Sequence, residues 1–213
     1  ESNADEKIMQ PIFLLFDHFV ETVGENFSDM LPYFQERLFE LTKGQARNLR
    51  GYAALILTRI SIVLQNADLL QLSFSSILMN ARLKHMFLRI NIFNAFRLAL
   101  RNCEMWQGNQ QLVDLAGQIY NSIQPPLIEI LGSVISGNNE SKDLFEAAAA
   151  LWARCMIVYD WSDFQDIRPD LVFQKVETVL DNDNGKCVDL ASLLLAFSTK
   201  MDAWSQVESV AVK

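Results

Sequence analysis

The chain has 213 residues, half of them apolar, a formal charge of −8 and three cysteines set far apart. That length buries a sizeable core without staples, and Cys103, Cys155 and Cys187, odd in number and in apolar surroundings, exclude a disulfide framework or a cysteine metal centre; they point to a reducing intracellular compartment, cytoplasm or nucleus. No apolar run reaches the ~20 residues of a bilayer span, and the first residues lack the basic-then-apolar layout of a signal peptide, so no membrane partner is expected.

Apolar residues recur at three- and four-residue spacings almost throughout, while alternation with a period of two is rarely sustained, which predicts an all-α chain. About ten helices are expected, over 6–23, 27–41, 46–65, 68–79, 83–104, 110–122, 126–135, 142–159, 169–180 and 186–200, with a shorter eleventh over 201–210. Gly44, Gly108-Asn109 and the polar runs 136–139 and 183–185 punctuate them. Pro125-Pro126 and Pro169 suit first helical turns, Ser141 caps the helix after it, and Asp160 or Ser162 caps a short turn before Phe164. Pro11 and Pro32 fall inside the first two helices, which therefore begin later or are kinked. Short connections favour antiparallel neighbours. The segment 83–104 is apolar around most of its circumference, which favours stacked hairpins over a four-helix bundle.

Three stretches repeat one layout. Met30-Leu31-Pro32-Tyr33-Phe34 precedes Arg50-Gly51-Tyr52-Ala53-Ala54-Leu55; Gln124-Pro125-Pro126-Leu127-Ile128 precedes Leu144-Phe145-Glu146-Ala147-Ala148-Ala149-Ala150; Arg168-Pro169-Asp170-Leu171 begins a third. Each pair resembles the outer and inner helices of HEAT and armadillo repeats, at a period of roughly 40 residues. The resemblance implies an α-solenoid of stacked antiparallel hairpins, with 1–213 as one helical-repeat domain, a piece of a larger solenoid. It also implies a scaffold or adaptor that binds protein segments along a concave face.

Charge is strongly segregated. From Lys43 to Arg101 nine bases stand against one acid, a net of +8, whereas 1–42 carries −7 and 102–213 carries −9. Helical spacing places Lys43, Arg47 and Arg50 on one stripe and Lys84, Asn91, Asn94, Arg97 and Arg101 on another. The two stripes suit an acidic or phosphorylated protein segment. The same bases could instead neutralise the acidic ends, or serve a nucleic-acid-binding helical module, which the acidic flanks oppose. A third reading is a structural segment that self-associates into homo-oligomers through apolar end faces. The acidic, aromatic stretch 160–170, with Asp160, Asp163, Asp166 and Asp170, could receive a basic partner or be a solvated loop.

No catalytic, cofactor or metal site is expected. Asp181 to Gly185 imitates a calcium loop, but glycine falls at the fifth position and Ser192 at the twelfth, where a glutamate is required. His18 and His85 have no ligand-spaced cysteine, and no nucleophile elbow, phosphate loop or dinucleotide fingerprint occurs.

Overall fold

The computed structural model describes residues 2–135 and 142–159. Among them are seven α-helices: α1 (Ser2–Val23), α2 (Leu31–Leu41), α3 (Arg47–Val63), α4 (Ala67–Asn80), α5 (Met86–Arg101), α6 (Gln110–Ile135) and α7 (Lys142–Val158). Short 3-10 helices, Gly24–Asp29 and Cys103–Met105, follow α1 and α5. The expected helices beyond 159, the Ser141 cap, the 160–170 stretch and the calcium-like turn lie outside the described residues. Two compact units divide the chain, Glu1–Ser122 and Ile123–Lys213.

Proline explains two departures from the expected segmentation. Pro32 takes the second position of α2, so that helix starts at Leu31, and the 3-10 turn fills the space before it. Pro125 and Pro126, expected to open a helix, lie inside α6 instead. Two amide donors are lost there. Yet Ala116, Ile119, Tyr120, Ile123, Leu127, Ile130 and Leu131 are all buried at three- and four-residue spacing, and that register runs on through the prolines only if the helix does.

The expected solenoid of about ten helices is not what forms. In a solenoid each hairpin touches only its sequence neighbours, but in the first unit α3 is a hub packed against α1, α2, α4 and α5. The cause is its composition. Of the 17 residues of α3 only Arg47 is exposed, and small side chains at Gly51, Ala53, Ala54, Thr58 and Ser61 let neighbours approach on several sides. Its Tyr52, Ile56, Leu57 and Ile60 join Phe13 and Val20 of α1, Phe27, and Leu38 of α2 in one core. Each such side chain contributes about 1.5–3 kcal/mol when fully buried.

Several polar side chains inside this packing are bonded, although Asn48 Oδ1 and Asn80 Oδ1 have no partner among the described residues. Thr58 donates to the Ala54 carbonyl at 2.8 Å and its hydroxyl meets that of Ser73 on α4. Ser76 donates to Thr42 Oγ1 at 3.3 Å, and Asn80 Nδ2 to the Thr42 carbonyl at 3.2 Å, which ties α4 to the end of α2. Across the α1–α3 seam Arg59 makes a bidentate pair with Asp17, at 3.0 and 3.1 Å, and reaches Glu21 at 3.3 Å. Burial alone would lower the Arg59 pKa; the hydrogen bond and charge of Asp17, with the charge of Glu21, outweigh it and hold the pKa above its ordinary value. Trp106 closes the far end of α5, donating from Nε1 to the Ala99 carbonyl at 3.1 Å and standing edge-on to Phe74.

In the second unit α7 is almost wholly buried, from Leu144 through Trp152 to Met156. Burial pushes the thiol of Cys155 far up, which makes it inert as a nucleophile.

Candidate functional site

The expected basic stripes resolve into two places. Lys43, Arg47 and Arg50 stand at the entrance to α3, and Lys84 at the entrance to α5; Arg101 occupies the last turn of α5, about 22 Å along the axis from its start. Arg101 there complements the helix dipole. Asn91 is buried, its Nδ2 donating to the Phe87 carbonyl at 3.0 Å, while Asn94 and Arg97 are half-buried on the following turn. Asn91 is thus a packing residue.

What it packs against brings the two entrances together. A Cβ added at Gly51 would lie 2.9 Å from Asn91 Cβ, 3.2 Å from the Leu88 carbonyl oxygen and 3.3 Å from Leu88 Cα, so the two backbones touch there. Gly51 is about 6 Å along the axis from the start of α3, and Leu88 about 3 Å from the start of α5. The two helix N-termini are therefore near neighbours.

The same device builds both. Ala46 and His85, in extended conformation, precede the helices and supply no side-chain cap, and neither first turn contains an acid. At the fourth residue of each helix an arginine reaches back to the carbonyl six residues earlier: Arg50 Nε donates to Gly44, and Arg89 Nε to Leu83 at 3.2 Å. Each arginine pins its entry loop. The sequence reading missed Arg89 as a site residue; the signal was the Leu49-Arg50 and Leu88-Arg89 pairs at equal distance from the two helix starts. Lys43 and Arg47 are exposed, with Lys43 Nζ 3.7 Å above the Phe39 ring, and Lys84 is exposed too.

This arrangement runs against the usual electrostatics. A helix N-terminus carries about half a positive charge and normally draws Asp or Glu. The first turn of α4 is ordinary: Asn66 accepts from the Leu69 amide at 2.9 Å, and Asp68 follows. The starts of α3 and α5 have bases instead, and His85 Nδ1 beside them, a buried atom that can donate, has no hydrogen-bond partner among the described residues; the buried Asn48 Oδ1, likewise unpartnered, is an acceptor and calls for a donor rather than an anion. Chemically, amides at a helix start together with lysine and guanidinium donors are the groups that coordinate an anion.

Among the described residues no group of His, Cys, Asp and Glu could hold a metal ion, and no helix is long and apolar enough to cross a membrane. The chain matches no family model, no curated protein and no solved structure.

Proposed function

We propose that the first unit is a non-enzymatic protein-binding module that holds an acidic or phosphorylated segment of another protein at the paired starts of α3 and α5. The observation that supports this reading is the pairing itself: two adjacent, uncapped N-termini whose first turns exclude acids and gather bases. Lys43, Arg47 and Lys84 supply accessible charge; Arg50 and Arg89 hold the loops that present it. Such a scaffold or adaptor works in the cytoplasm or nucleus, where phosphorylated segments are found and where the free thiols of Cys103 and Cys155 are stable.

Fluorescence anisotropy on the full chain at about 0.15 M salt tests it. The probes are a phosphoserine peptide, its unphosphorylated twin and a single-stranded oligonucleotide. The phosphopeptide is expected to bind at least tenfold more tightly than its twin, about 1.4 kcal/mol, and the double variant Arg47→Glu, Lys84→Glu is expected to abolish the difference. Tighter binding of the oligonucleotide, falling steeply with salt, would replace the reading with a nucleic-acid module. Equal binding of the two peptides would end it.

A further inference from the structure

The separation of the two helix starts sets the spacing of what they can hold. Thr58, late in α3, meets Ser73 in the middle of α4, whereas Thr42, ahead of α3, meets Asn80 at the end of α4. The pairing runs in opposite senses, so α4 is antiparallel to α3. The link 81–85 leads from that end into α5, and Trp106, just past the far end of α5, stands against Phe74 back along α4. α5 therefore returns along α4 and runs parallel to α3.

Two parallel helices that touch through Gly51 and Leu88, within about a turn of their first residues, have those starts nearly level. Packed helix axes lie about 8–10 Å apart. Each start has its own base, Arg47 in the first turn of α3 and Lys84 directly before α5. The site thus has two sets of anion-binding groups about 8–10 Å apart rather than one.

An independent feature lies between them. Asn48 precedes Gly51 by three residues and so shares the face of α3 turned to α5, and His85 precedes Leu88 by the same number. Asn48 is only 6% exposed, and its Oδ1, like His85 Nδ1, has no partner among the described residues. An acceptor that lacks a donor, set beside groups that coordinate anions, suits a peptide, because the main chain brings an N–H beside nearly every side chain.

In an extended strand neighbouring side chains point to opposite sides. In the polyproline II form, with three residues per turn and a rise of ~3.1 Å, side chains three residues apart return to the same side about 9 Å further on. That distance matches the separation of the two starts, and a single phosphate would fill only one of them. We propose that the partner segment carries two phosphorylated side chains three residues apart, one held at the start of α3 and the other at the start of α5. The inference rests on the reading of these starts as an anion site, and adds the number and spacing of the anions.

Fluorescence anisotropy on the full chain at about 0.15 M salt tests it. The probes are peptides of one sequence carrying no phosphoserine, one, two on adjacent residues, or two placed three residues apart. The two doubly phosphorylated peptides have equal charge, so diffuse attraction does not separate them. The spaced pair is expected to bind at least tenfold more tightly than the adjacent pair or the single phosphate, because its second contact is intramolecular. Arg47→Gln and Lys84→Gln, each leaving the other start intact, are each expected to bring the spaced pair to within about threefold of the single phosphate. Equal binding of the two doubly phosphorylated peptides would overturn the inference and leave the anion site standing, as would an advantage of the spaced pair that survives each substitution. A single phosphopeptide no tighter than its unphosphorylated twin would instead remove the anion site, and this inference with it.

Discussion

Gly51 sits at the tightest contact between α3 and α5. Alanine there would gain about 1 kcal/mol of helix propensity. Its methyl, however, would meet Asn91 Cβ at 2.9 Å and the Leu88 carbonyl oxygen at 3.2 Å, neither of them the yielding tip of a long side chain. Overpacking of this kind costs about 1–3 kcal/mol. Gly51→Ala is therefore expected to lower the melting temperature in a circular-dichroism melt, and to weaken phosphopeptide binding because the two helix starts are pushed apart. An unchanged or higher melting temperature would contradict the close approach of the two backbones. In the sequence Gly51 stands only as part of a repeat-like stretch, since a glycine inside a helix shows that something approaches closely without showing what.

Prolines make a parallel point for whole elements. Pro125 and Pro126 leave the Asn121 and Ser122 carbonyls of α6 without their usual amide donors. Replacing both with alanine is expected to stabilise the helix by up to about 3 kcal/mol per site and to give slowly exchanging new amides at 125 and 126, followed by hydrogen exchange. Fast exchange at both would mean that the helix is broken there. The sequence signals at this point conflicted. Proline chemistry favoured a new helix at 126, the apolar register from Ala116 to Leu131 favoured continuity, and burial of the register prevailed. Elsewhere the periodic pattern located the helices well, as at 46–65 against Arg47–Val63 and 68–79 against Ala67–Asn80. Periodicity reports which face of a helix is apolar, not which neighbour covers it. The hub role of α3 was therefore hidden behind an apparent 40-residue repeat, although its glycine, alanine, threonine and serine positions, spread around the helix, are what a hub requires.

At the scale of the whole molecule, the +8 segment from Lys43 to Arg101 lies between acidic stretches, and Arg59 within it pairs with Asp17 and Glu21 of α1. Arg50 and Arg89 each donate to a neutral carbonyl, contacts that bring no negative charge to the starts of α3 and α5. Any anion that binds the folded chain and not the unfolded one must then raise its stability by mass action. For a site with Kd near 1 mM, phosphate at about 0.1 M would add about 2.7 kcal/mol, a rise of roughly 5–10 °C in melting temperature for a chain of this size. Phosphate also strengthens apolar burial generally, by exclusion from protein surfaces, so the rise alone decides nothing. The double variant Arg47→Glu, Lys84→Glu separates the two effects: it should retain the gradual, unsaturating rise and lose the part that saturates at millimolar phosphate. Identical phosphate titrations for the two proteins would show that these bases do not form an anion site.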